Sequence, residues 1–127
     1  MCCQHTLESR EHTAHRVLTA FFLPSLSFLS GSAKAVDLDV SASEPSILSS
    51  VSSAWEAFGS IDILINNAGT SESLAPNLEV PADEWERVLR VNALGTALVL
   101  RSVARMMVEE GVKGSIVNVS SIVGEWE

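Results

Sequence analysis

Alternating strand-like and helix-like segments from Lys34 onward predict an α/β chain, with a parallel sheet covered by helices on both faces. Three observations carry this expectation. The strand-like runs are short and nearly all apolar, the segments between them repeat apolar residues at helical spacing, and glycine or asparagine punctuates the junctions. A strand buried on both faces needs near-continuous apolarity, and parallel neighbours need a crossover long enough to hold a helix.

Lys34 to Val40 (KAVDLDV) reads as the first of these strands. In residues 46–58, Ile47, Leu48, Val51, Trp55 and Phe58 recur at helical spacing, and Gly59 closes the segment as a helix C-terminus does. Ile61 to Ile65 (IDILI) is a β-branched run too short for a helix. It opens onto Asn66-Asn67-Ala68-Gly69, which is turn chemistry. After a polar stretch holding Pro76 and Pro81, a long helix is predicted through Trp85, Val88, Leu89, Leu98, Val99, Val103 and Met106 to Gly111. Gly95 predicts an irregularity within it. Ser115 to Val119 (SIVNV) is the last strand expected, flanked by Gly114 and polar residues.

Residues 1–33 have a different texture and are read as an atypical segment apart from a domain of residues 34–127. They hold a polar, histidine-bearing start, the apolar run VLTAFFLPSLSFL from Val17 to Leu29, and the small residues Ser30-Gly31-Ser32-Ala33. That run is too short to span a bilayer but suits the apolar core of a signal peptide. Glu8 and Glu11 offset Arg10 and Arg16, and Pro24 interrupts the run, both of which count against that role. A cytoplasmic location is expected, with secretory or organellar targeting by residues 1–33 left open. An alternative is that the apolar segment fills a gap in the sheet.

With 46% apolar and 19% charged residues in 127, the chain has the composition of one folded domain and not of a disordered polymer. A net charge of −8 without a Lys/Arg cluster speaks against nucleic acid or an anionic membrane as partner. Cys2 and Cys3 are read as reduced thiols, because adjacent cysteines rarely reach disulfide geometry. His5, His12 and His15 lack an acidic second shell, so no metal site is assigned.

In open α/β sheets ligands bind beyond the carboxyl ends of the strands. The residues there are Asp39-Val40, Asn66 to Gly69, and Ser120-Ser121. Together with Val91-Asn92-Ala93-Leu94-Gly95 and Ile116 to Ser121 (IVNVSS), this ordered set resembles the central part of a short-chain dehydrogenase/reductase, across residues 34–127. The resemblance implies a Rossmann-like doubly wound fold, an NAD or NADP cofactor, and a small carbonyl or alcohol substrate. It implies that Asp39 accepts a hydrogen bond from the adenine amino group beside Val40, and that Asn67, Ala68 and Gly69 form the loop under the adenosine ribose, with the asparagine tying neighbouring strands together. It makes Asn92 and Ser121 two members of a catalytic set. Ser121 is preferred to Ser120 by its distance from Gly124, and its hydroxyl would hydrogen-bond the substrate oxygen. Asn92 would hold a water in a proton relay.

Two parts of the family pattern are not found. The resemblance places a tyrosine and a lysine beyond Ser121, whereas the 127 residues hold no tyrosine and no lysine after Lys113. It also places a glycine-rich turn near the start, where Gly31 is the only glycine before Gly59. The residue that would choose between NAD and NADP falls in the same replaced region. The expectation is therefore an incomplete sheet, lacking its first strand-helix unit and its C-terminal part, and a catalytically incomplete chain. Two other readings are kept: an interaction module that forms homo- or hetero-oligomers with a full-length relative through the long helix, and a small secreted protein.

Overall fold

A computed structural model of the chain describes residues 3–9, 17–21, 32–71 and 77–121. The side chains of Cys2, Cys3, His5, His12 and His15, and Gly124, lie outside the described residues. Five strands form one sheet: β1 (Cys3–Ser9), β2 (Val17–Phe21), β3 (Ser32–Leu38), β4 (Ile63–Asn66) and β5 (Ser115–Asn118), in the order β3-β1-β2-β4-β5. β2, β4 and β5 are parallel, with Val17 opposite Ile63 and Leu64 opposite Ile116. β1 runs antiparallel to both β2 and β3, which leaves β3 parallel to the other three. The ends of β3, β2, β4 and β5 therefore share one edge.

Two of these strands come from the leading segment, which the sequence set apart from the domain. Val17–Phe21 lies beside β4, so the first part of the apolar run does fill a slot in the sheet. The physical reason is unpaired backbone: a central strand such as β4 presents N–H and C=O groups on both sides, and leaving one side open is costly. β2, itself paired antiparallel with β1, closes that side. Removal of residues 1–33 would take β1 and β2 out of the sheet.

α1 (Glu44–Phe58) starts with Glu44 and a proline in its first turn, which suit a helix N-terminus, and ends at Gly59 with φ 79°. Ile47, Val51, Ala54 and Trp55 form its buried stripe, while Leu48 stands at the margin, 43% exposed. α2 (Ala82–Leu89), a π-helical segment (Arg90–Gly95) and α3 (Thr96–Glu109) form the long helix, and the expected irregularity is that π segment ending on Gly95. Leu98, Val99, Val103 and Met107 of α3 pack with the α1 stripe over Leu38, Ile61 and Leu64. Each such fully buried side chain contributes roughly 1.5–3 kcal/mol.

The long helix does not bury every residue of its predicted stripe. Trp85 and Leu89 are 45% and 59% exposed, because the wide π turn takes an extra residue and rotates the stripe of α2 off the line continued by α3. By length and composition Ala82–Glu109 could cross a membrane. Its apolar face is instead the core, and Arg101 and Arg105 on its outer side pair with Glu44 and Glu109.

The two described helices pack on each other and so share one face of the sheet. The doubly wound class stands, but the expected cover on both faces is limited among the described residues to one, and Val117 on β5 is 48% exposed.

The tightest constraint lies where the π segment crosses the end of β3. A Cβ on Gly95 would stand 2.4 Å from the Val40 carbonyl oxygen, whereas one on Gly69 would meet only Asn92 Oδ1 at 3.7 Å. Alanine gains about 1 kcal/mol over glycine in helix propensity, but overpacking against rigid backbone stands at the upper end of roughly 1–3 kcal/mol. Urea denaturation should therefore show Gly95→Ala losing about 2 kcal/mol, with Gly69→Ala within about 0.5 kcal/mol of the parent.

Candidate functional site

The loops after β3 and β4 enclose a cleft of about 180 Å³, lined by Asp39, Val40, Ser41, Gly69, Thr70, Arg87 and Val91. Its position follows from topology, since it sits beyond the carboxyl ends of parallel strands where the chain reverses direction.

Asp39 shapes the first loop. Its Oδ1 accepts the Ser41 backbone N–H at 2.8 Å and the Ser41 hydroxyl at 2.6 Å, an Asx turn that continues into Ala42 N–H to Asp39 O at 3.1 Å. These bonds favour the charged form, so the Asp39 carboxyl titrates below the ordinary aspartate range. The Ser41 hydroxyl is the main cause, partial burial opposes it, and Arg90 adds a favourable charge. Val40 is buried beneath the turn.

The second loop is held by the long helix. Asn92 Oδ1 accepts the Thr70 N–H at 2.9 Å, and Asn92 Nδ2 donates to the Thr70 carbonyl at 2.7 Å. One turn earlier, Arg87 donates from Nη1 to the Thr70 hydroxyl at 2.7 Å and from Nη2 to the Ser71 carbonyl at 2.8 Å. Arg90 turns to the other loop, donating to the Ser41 carbonyl at 2.9 Å and to the Ala42 carbonyl.

Asn66 is buried at the end of β4, where its Nδ2 donates to Asn118 Oδ1 at 3.0 Å and to the Thr96 carbonyl at 3.4 Å. The asparagine that ties neighbouring strands is thus Asn66. Asn67 and Ala68 are half-buried in the same loop but do not line the cleft. Of the cofactor-side residues named from sequence, the structure brings Asp39, Val40 and Gly69 together. Ser121 lies beyond β5, whose end shares the edge at which the cleft opens.

Sequence reasoning missed Ser41, Thr70, Arg87, Arg90 and Val91. The available signal was two arginines three residues apart in an otherwise amphipathic helix, just before Asn92; helical spacing puts them on one face.

Comparison with known proteins bears on this arrangement directly. The family model for short chain dehydrogenase matches residues 9–127, beginning inside the leading segment. This chain belongs to the short-chain dehydrogenase family. It is 40% identical over 83 residues to the short chain dehydrogenase/reductase astE of Aspergillus oryzae, covering 65% of this chain and 31% of that protein. With glucose 1-dehydrogenase 2 of Bacillus subtilis it shares 35% over 92 residues, covering 72% and 35%. Among solved structures, NAD+-bound xylitol dehydrogenase superposes with a TM-score of 0.62 at 41% identity, over 68% of this chain and 32% of that one. ElxO with NADP bound gives 0.61 at 32% identity, over 68% and 34%. The chain thus spans about a third of the length of these relatives, two of which are solved with NAD+ or NADP bound.

The family's cofactor can be tested against the residues present. At the adenine end they fit: a carboxylate held in its charged form lies next to a buried valine in a cleft that Gly69 also lines. At the pyrophosphate end they do not, because β2 occupies the strand slot that precedes the glycine-rich turn, and residues 22–31 that follow it hold only Gly31.

A group whose folded pKa is depressed adds stability that is present above its unfolded pKa and disappears as pH falls through the folded value. A carboxyl-carbon NMR titration should place Asp39 below the ordinary range. Ser41→Ala should move it upward, and the loop's stability should then fade at a higher pH than in the parent. An unmoved Asp39 in that variant would contradict the assigned cause.

Proposed function

We propose that these residues carry the adenosine side and part of the catalytic side of an NAD(P)-dependent oxidoreductase acting on a ketone or secondary alcohol, and that this stretch does not turn over by itself. The observation that carries the reading is the cleft, in which Asp39, Val40 and Gly69 converge at the strand ends of a short-chain dehydrogenase fold. Asp39 is the acceptor for an exocyclic amino group, with Val40 as the apolar floor. Asn67 and Ala68 shape the loop on which a ribose would rest.

Ser121 is proposed to donate its hydroxyl hydrogen to the substrate oxygen, stabilising negative charge as it develops there. Asn92 acts first as a positioning residue for the Thr70 loop. A primary amide has two donor hydrogens and two acceptor lone pairs, and the bonds to Thr70 use one of each, which leaves capacity to hold a water. No tyrosine is present to give a proton to the resulting alkoxide, and a positioned general acid typically supplies about a hundred- to ten-thousand-fold.

Transplantation tests this reading. Residues 34–121 would replace the matching segment of a full-length relative that supplies its own glycine-rich turn and tyrosine. The chimera should reduce its ketone substrate, and Ser121→Ala should lower kcat by roughly a hundred- to thousandfold. A folded chimera whose rate ignores that substitution would sink the assignment, while the free 127-residue chain should show no nicotinamide turnover.

A second reading, pairing with a relative through the long helix, draws support from Trp85 and Leu89, which are exposed one turn apart on α2. Size-exclusion chromatography of the chain mixed with a full-length relative should then show a joint peak that Trp85→Ala/Leu89→Ala abolishes. Two separate peaks would remove this reading.

A further inference from the structure

The two ends of the family's cofactor site disagree in this chain, and the disagreement itself specifies a ligand. In the doubly wound order 3-2-1-4-5-6, the strand beside strand 4 is strand 1, and its turn grips a pyrophosphate through close-packed glycine backbone at a helix N-terminus. Here that place belongs to β2, which is parallel to β4 and delivers the chain at Phe21 to the same edge as the cleft. The residues that follow, 22–31, read FLPSLSFLSG. Two phenylalanines, three leucines and a proline replace the glycines that let a backbone approach phosphate.

Among the described residues at the cleft, the cations are already engaged by the protein's own groups. Arg87 donates from its two terminal nitrogens to Thr70 and Ser71, and Arg90 is turned onto the carbonyls of Ser41 and Ala42. A net charge of −8 offers no long-range attraction to an anion. The volume argues the same way, since about 180 Å³ is below the roughly 300–1,000 Å³ of pockets that enclose a drug-sized ligand. A cleft of that size suits one heterocyclic base.

We infer that this chain has a nucleoside site: it recognises an adenine nucleoside through its 6-amino group at Asp39, with affinity that neither phosphates nor a nicotinamide half increases. The inference rests on the adenine role proposed for Asp39 and departs from the family's use of the whole dinucleotide.

Calorimetric titration of the 127-residue protein with adenosine, inosine, AMP and NAD+ tests it, with the Ser41 and Thr70 amide resonances reporting the place of binding. Adenosine, AMP and NAD+ should bind within threefold of one another and shift those amides. Inosine, which presents a carbonyl oxygen to the carboxylate in place of the amino group, should bind at least tenfold more weakly. Changing the ligand leaves the Asp39 turn intact, so a folding defect cannot mimic the result. If NAD+ or AMP binds more than tenfold tighter than adenosine, the nucleoside inference fails while the adenine reading of the cleft survives. If no adenine compound binds, or inosine equals adenosine, the role given to Asp39 fails as well.

Discussion

The close approach of Gly95 to the Val40 carbonyl is the contact on which the arrangement of the cleft depends. A side chain at that position would hold the long helix away from the end of β3. Because there is none, the π segment lies against that strand end, and the polar groups of one helix reach both neighbouring loops. Arg90 holds the loop after β3 by two carbonyls, while Asn92 and Arg87 hold the loop after β4. The π turn contributes by geometry: its extra residue changes the direction in which successive side chains leave the helix. Arg87 and Arg90 precede that extra residue, one ordinary helical turn apart, and reach different loops through their long side chains.

The same helix shows why the core is one-sided. Its α3 part and α1 share a single apolar cluster over β3 and β4, sealed at the cleft edge by the buried Asn66, whose amide is satisfied by Asn118 and Thr96. A buried amide left without those partners would cost about 1–3 kcal/mol. Its hydrogen bonds therefore register β5 against β4 as well as adding to stability. Among the described residues, β1 and β2 bring strands to the sheet but no helix to its other face. Phosphate binding in this fold depends on a glycine-rich turn at a helix N-terminus, and residues 22–31 after β2 carry only Gly31.

Much was legible in the sequence because it depended on local rules. The apolar runs of β4 and β5, the helical stripe of α1, the glycine stop at Gly59 and the irregularity at Gly95 all follow from side-chain periodicity and backbone freedom, which act over a few residues. The motifs around Asp39, Asn66 to Gly69, Asn92 and Ser121 were legible too, and with them the family. Other features depended on pairs far apart in the chain. Asn66 meets Asn118, Arg90 meets Ser41, Gly95 meets Val40, and Val17–Phe21 meets β4; nothing in either member of such a pair announces the other.

The sequence by itself thus determined which segments from Lys34 onward are strands and helices, the α/β class, the family, and the residue types available at the strand ends. Only the tertiary structure decided which of those residues line one cleft, that Asn66 and not Asn67 ties the strands, and that the leading segment completes the sheet. The physical reason is that periodicity and turn chemistry are properties of neighbours along the chain, whereas a site is made by hydrogen bonds and packing between segments whose proximity exists only once the sheet has formed.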